Sequence, residues 1–176
     1  MEKQQIREIL RSRITHISAE QRTLASREIF AKVAALPEFV EARVVALYAA
    51  LPDEPQSQEF ITEWHDHKRI VLPRVEGDTM QFYDYRPDRM QSGAFGINEP
   101  QGCEPCPPEE IDVMIVPGVG FTTEGKRMGR GKGFYDRYLA QRGFHATTIG
   151  VCLKEQILPA IPTNPHDKAV DKVIFA

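Results

Sequence analysis

The chain has 176 residues, of which 41% are hydrophobic and 27% charged, and its formal net charge is −3. That balance suits an ordinary globular protein of one domain over residues 1–176, and it excludes a nucleic-acid carrier with a global basic field. The polar start Met1-Glu2-Lys3-Gln4-Gln5 lacks the apolar core of a signal peptide and no later run reaches membrane-spanning length, so a cytoplasmic protein with no membrane or nucleic-acid partner is expected.

In chain order, Ile6, Ile9, Leu10 and Ile14 recur at helical spacing and mark a first helix. Ser18-Ala19-Glu20-Gln21 reads as a capping box opening a second helix that runs toward Pro37. Val44 to Ala49 is the first strong strand; Ser57 starts a helix through Phe60, Ile61 and Trp64, and Ile70-Val71-Leu72 is the next strand. Met80 to Tyr85 alternates like an edge strand, and residues 86–108 read as a connection rich in proline and glycine. A buried strand over 112–116 ends at Pro117-Gly118, a glycine-rich loop leads into a helix, and strands follow at Thr147 to Leu153 and at Val173 to Phe175. Alternation of this kind predicts a single three-layer α/β domain, Rossmann-like, with a mostly parallel sheet behind two N-terminal helices. Ligands of such sheets bind at the carboxyl ends of the strands. Asp53-Glu54, Arg74 and the glycine-rich loop fall at such ends, although Asp53 and Arg74 taken singly read as ordinary polar loop residues.

The loop is the most informative stretch. In Arg127-Met128-Gly129-Arg130-Gly131-Lys132-Gly133-Phe134-Tyr135-Asp136, glycines that can take positive φ alternate with cations. Phe134, Tyr135, Tyr138 and Leu139 keep helical spacing after it, so the context reads as strand, loop, helix, with the helix start favouring an anion. Three basic groups in so tight a frame repel one another unless an anion gathers them, which weighs phosphate binding above a merely solvated loop. Gly120 to Lys126 fits P-loop spacing as far as its lysine, but Arg127 stands where a magnesium-binding hydroxyl belongs, and no Gly-x-Gly-x-x-Gly fingerprint appears. Cys103-Glu104-Pro105-Cys106 has redox or zinc spacing, yet it lies among prolines with too few further ligands, so no function is expected of it.

Taken together, several segments resemble the 5-formyltetrahydrofolate cyclo-ligase family over nearly the whole chain. These are Lys3-x-x-Ile6-Arg7, Asp53-Glu54, Pro117 to Phe121, Gly125 with Arg127 to Asp136, Asn164-x-x-Asp167 and Val170-Asp171. Met128 replaces the usual leucine, Phe134 the usual tyrosine, and Phe95 a tryptophan found in some members. The resemblance implies a monomeric ligase that takes ATP, Mg2+ and the small molecule 5-formyltetrahydrofolate, with polyglutamylated forms left open. It implies nucleotide contacts from Lys3, Arg7 and the run Arg127, Met128, Gly129, Arg130, Gly131, Lys132, Gly133, Phe134 and Tyr135, with Arg130 and Lys132 acting in catalysis. It further implies folate contacts from Ala49, Glu54, Phe95 and Tyr135, and magnesium held by Asp136 and Asp167. Two rivals are a non-catalytic nucleotide- or phosphometabolite-binding regulator on the same fold, and an isomerase or coenzyme A transferase on a related sheet. The first would bind without turnover and the second would turn over without ATP.

Overall fold

The computed structural model describes residues 1–93, 96–102 and 104–176. Its frame is a six-stranded sheet made of β1 (Val44–Ala46), β2 (Arg69–Glu76), β3 (Thr79–Asp84), β6 (Val113–Val116), β9 (Thr147–Cys152) and β10 (Lys172–Phe175). The spatial order is β10-β9-β6-β1-β2-β3; every neighbouring pair is parallel except the β2–β3 hairpin, which puts the alternating Met80 segment at the edge. Residues along the central strands divide between two cores by strict alternation. Val45, Leu47, Ile70, Leu72, Val113 and Ile115 join one, while Ala46, Val71, Met114 and Val116 join the other.

Helices cover both cores. α2 (Ala19–Ala34), α3 (Pro37–Glu41) and α4 (Gln58–Trp64) close the first with Ile29, Phe30, Val33, Phe39 and Phe60. The Phe30 and Phe60 ring centroids lie 4.7 Å apart, and Phe39 meets Trp64 edge-on at 5.0 Å. The capping box of α2 forms as expected, with Gln21 N donating to Ser18 Oγ at 3.1 Å and Ser18 N to Gln21 Oε1 at 2.9 Å. Ser57 precedes α4 without capping it; its hydroxyl donates instead to the Tyr48 carbonyl at 2.6 Å. The second core is closed by α5 (Phe134–Leu139), whose Tyr138 ring meets Phe82 at 4.9 Å. α1 (Lys3–Ile14) reaches the first core only with its last residue, Ile14. Its Ile6 and Leu10 lie with Val119, Met128, Leu158 and Ile161 in a third cluster, which seats the helix on the hairpin of β7 (Gly120–Phe121) and β8 (Arg127–Met128).

That hairpin changes the expected strand-loop-helix order, because it stands between β6 and the glycine-rich loop, and Arg127 belongs to β8. Glycine makes its close approaches possible. A Cβ at Gly120 would sit 2.6 Å from Leu10 Cδ1, and one at Gly125, where φ is +101°, would collide with the Val170 carbonyl. Val170 N also donates to Gly125 O at 2.8 Å, and Asp171 Oδ2 accepts from Thr148 N at 2.9 Å, so Val170-Asp171 ties hairpin, β9 and β10 together. The segment 86–108, expected as a connection rich in proline and glycine, contains a small antiparallel hairpin of β4 (Met90–Ser92) and β5 (Asn98–Pro100). Its strands are too short to show a period in the sequence. Among the described residues no helix is long and apolar enough to cross a membrane.

Candidate active site

Chain order reverses between β1 and β6: the chain leaves β1 toward β2 and β3, then returns to build β6, β9 and β10 on the other side. Loops leaving two such strands part in opposite directions and open a crevice at their carboxyl ends. A cleft of about 860 Å³ lies there, entered by Ala49, Leu51 and Glu54 after β1 and by Pro117 and Gly118 after β6. Every described residue that the sequence reading assigned to a site lines it: Lys3, Arg7, Ala49, Glu54, the run Arg127 to Asp136, and Asp167. Phe95 and Cys103 lie outside the described residues.

One wall is cationic, and protein oxygens hold most of its cations. Arg127 Nε donates to Pro117 O at 2.7 Å, and its guanidinium lies 5.0 Å from the Tyr135 ring centroid. Arg7 Nε, reaching from α1, donates to Gly129 O at 2.8 Å. Arg130 Nη2 meets Asp53 Oδ1 at 2.6 Å and Glu54 Oε2 at 3.4 Å, so it bridges the β1 loop and the glycine-rich loop across the crevice. Lys3 Nζ donates to Asp167 Oδ2 at 2.6 Å. Lys132 is exposed and has no such partner among the described residues. Gly131 and Gly133 carry the loop through φ of +104° and +75°, a backbone that side chains disfavour. α5 has only six residues, so anion attraction here rests on the side-chain cations and loop amides more than on a helix dipole.

The carboxylates are set by their surroundings. Glu54, 4% exposed, has its carboxyl pushed up by burial, against the Leu51 amide at 2.9 Å and the Arg130 charge, which favour the ionised form. Burial also raises Asp167, but the Lys3 ammonium and the Asn164 amide outweigh it and leave the group below its ordinary value. Burial lowers Arg127, with Tyr135, Asp136 and Glu54 pulling the other way; for Arg130 the carboxylates of Asp53 and Glu54 outweigh burial and the net direction is up. The Tyr135 phenol is raised by burial and is therefore a neutral hydroxyl donor at physiological pH.

Asp136 and Asp167 come to one place through a single backbone link, since Asp136 Oδ1 accepts from Lys168 N at 3.0 Å and Lys168 follows Asp167. Asn164 and Asp167 fold the segment on itself, with His166 N donating to Asn164 Oδ1 at 2.9 Å. The described residues contain no group of three or more His, Cys, Asp or Glu side chains arranged to hold a metal. Two carboxylates beside a phosphate-sized cationic wall fit magnesium, which takes one or two protein carboxylates and completes its octahedron with phosphate oxygens and water.

The opposite wall is apolar, formed by Pro73, Val75, Met80 and Ile97 together with the buried carboxyl residue Glu99. None of these five was singled out from the sequence as a site residue, because they are divided between the β2–β3 and β4–β5 hairpins and only the fold gathers them. Arg74 does not join the cleft. β2 runs on to Glu76, so Arg74 lies within the strand, and alternation turns it away from Pro73 and Val75 onto the Tyr83 ring, 3.7 Å from its centroid, and onto the carbonyls of Pro100 and Gly102. Asp53, read as an ordinary loop residue, is the partner of Arg130. The P-loop-like stretch is the β7–β8 turn, closed by Thr122 N to Lys126 O at 2.9 Å. Cys106 is buried beside Phe82, with its thiol pushed up to about 11 by burial.

Comparison with known proteins gives the cleft a context. Residues 1–176 match the profile of the 5-formyltetrahydrofolate cyclo-ligase family. A 5,10-methenyltetrahydrofolate synthetase from Aquifex aeolicus, solved by NMR, superposes with a TM-score of 0.88 at 35% identity, covering 99% of this chain and 90% of that one. A synthetase of the same name from Mycoplasma pneumoniae gives 0.77 at 28% identity, covering 99% and 98%. The 5-formyltetrahydrofolate cyclo-ligase of Haemophilus influenzae is 30% identical, over 94% of this chain and 92% of its own length. On a full-length profile match, relatives of this identity and a shared sheet whose crevice gathers the motif residues, the chain belongs to the 5-formyltetrahydrofolate cyclo-ligase family, a family of ligases.

Proposed function

We propose that this protein closes 5-formyltetrahydrofolate to 5,10-methenyltetrahydrofolate, consuming ATP in a magnesium-dependent reaction and releasing ADP and phosphate. The observation that carries this reading is the two-walled cleft, with a cationic wall suited to a triphosphate facing an apolar wall suited to a planar heterocycle. A formamide oxygen is a poor leaving group. Attack of that oxygen on the γ-phosphorus forms a P–O bond and frees ADP; nitrogen 10 of the folate then attacks the activated carbon, and the C–O bond breaks to release phosphate. The ring closure is intramolecular, so holding nitrogen 10 near the carbon removes most of its entropic barrier.

Phosphoryl transfer asks a protein for positioning and charge stabilisation more than for a nucleophile. Lys3, Arg7, Arg127 and the loop from Met128 to Tyr135 would bind the nucleotide. Arg130 and Lys132 would stabilise the charge on the transferring group, Arg130 from a fixed position and Lys132 from a free one. Asp136 and Asp167 would hold magnesium, whose contribution is to neutralise and orient the phosphates. Glu54 would accept from a ring N–H of the pterin, and Ala49 and Tyr135 would line its pocket. The reaction is tested by mixing purified protein with 5-formyltetrahydrofolate and magnesium-ATP and following the ultraviolet absorption of the methenyl product. Product is expected only with both ATP and a divalent cation present. Equal rates without ATP would refute the reading, and nucleotide binding without turnover would favour a regulator.

A further inference from the structure

Glu99 is the one acidic residue on the apolar wall, and the fold goes to some length to keep it there. It sits at the centre of β5, is 8% exposed, and lines the cleft with Val75, Met80 and Ile97. Among the described residues its carboxylate accepts one hydrogen bond, from Val75 N at 2.9 Å. No Lys, Arg or His among the described residues pairs with it. Arg74, adjacent to that amide in sequence, is engaged with Glu76 at 3.1 Å and with the carbonyls of Pro100 and Gly102. The carboxyl lies close against Gly93, where any Cβ would collide with it, so the β4–β5 hairpin leaves a space of its shape.

A carboxylate this buried, with four lone-pair positions and one amide donor, is costly unless something else donates to it. Cations of the cleft are engaged elsewhere: Arg130 meets Asp53 and Glu54, and Arg137, which lines the cleft beside the β2–β3 turn, donates to the Asp78 carbonyl at 2.8 Å. A planar ligand that carries N–H groups would suit the apolar wall and its carboxyl together. Resting on the folate reading above, we propose that Glu99 is a further positioning residue for the substrate, accepting hydrogen bonds from the exocyclic 2-amino group of the pterin while Glu54 takes a ring N–H. The two buried carboxylates then fix the ring from two sides. The apolar surface between them supplies contact area, and the paired carboxylates supply discrimination, because a site built to receive N–H donors rejects a ligand that lacks them.

The test is calorimetric binding, without ATP, of 5-formyltetrahydrofolate and of its analogue with methyl in place of the 2-amino group, to wild type and to Glu99→Gln. Glutamine can still accept from Val75 N, so the strand pairing is kept, and thermal unfolding together with magnesium-ATP affinity should match wild type. Wild type is expected to bind the parent about 10- to 100-fold more tightly than the analogue. In Glu99→Gln that ratio should fall most of the way to one, through weaker binding of the parent. Gly93→Ala, which displaces the carboxylate without removing it, should lower the ratio in the same direction. A wild-type ratio retained in Glu99→Gln would overturn the assignment while leaving the proposed reaction standing. Failure of wild type to bind either compound would sink the folate reading and this proposal together.

Discussion

The two walls of the cleft solve different problems with different materials. The cationic wall is pre-paired: Arg7 and Arg127 rest on backbone carbonyls, and Arg130 and Lys3 on carboxylates, so most of its charge is held in place before any ligand arrives. The apolar wall is made of strand side chains whose positions the sheet already fixes, with one buried carboxyl residue set among them. Charge in a mobile loop must be anchored to be preorganised, whereas a hydrophobic surface on a sheet is preorganised by its backbone. The cationic wall should therefore be the more fragile, and its failures should appear first in its anchors.

The largest effect is expected from Gly125→Ala. The new Cβ meets the Val170 carbonyl and the residue must hold φ of +101°, so unfolding should cost about 3 kcal/mol less than in wild type. Denaturant titration reads this directly, and a variant as stable as wild type would show that the hairpin under Arg127 is not rigid. Next in size, Arg130→Ala should lower kcat/KM for ATP by about 1.5–3 kcal/mol, the worth of a charge-assisted hydrogen bond to phosphate. Its folate affinity should change far less. An equal loss for both ligands would erase the distinction between the walls.

Smaller effects sharpen the picture. Lys3→Met should destabilise the fold by about 1 kcal/mol near neutral pH by removing the pair with Asp167. Asp167 is held below its ordinary value, so the pair contributes fully above that value and fades as acid protonates the carboxylate through its lowered folded value. The difference between variant and wild type should thus shrink as pH falls into that range; a difference independent of pH would locate the role of Lys3 elsewhere. The smallest change is expected from Glu54→Gln. Burial raises this carboxyl, so its ionised form opposes folding, and that cost is absent below the ordinary glutamate range and grows as pH rises through the raised value. Apoprotein Tm near neutral pH should therefore rise slightly in the variant while folate binding weakens. A lower Tm would mean that the bond to Arg130 outweighs burial.

The same contrast governs what could be read from the sequence. The run from Arg127 to Asp136 was visible because its cations and glycines are close together in the chain, whereas Lys3 and Arg7, whose partners Asp167 and Gly129 lie 164 and 122 positions away, were marked only by the family resemblance. The parallel sheet was visible because Val44 to Ala46 and Val113 to Val116 are short apolar runs separated by helical periods. Glu99, Val75 and Met80 were not visible, since each is one alternate residue of a strand and only the packing of three strands brings them to one surface. Arg74 went wrong for a related reason: β2 outlasts its apolar run by several residues, and the parity of the strand decides which side a residue serves. Asp53 looked like a loop residue because its partner lies 77 positions away.

The central claim is that the formyl oxygen becomes the phosphoryl acceptor and leaves as phosphate, with the cationic wall holding the nucleotide throughout. It is tested most directly with 5-formyltetrahydrofolate labelled with oxygen-18 in the formyl group, turned over with magnesium-ATP and this protein, followed by mass analysis of the released phosphate. The account predicts one labelled oxygen in each phosphate formed. Label recovered in water, with unlabelled phosphate, would contradict it.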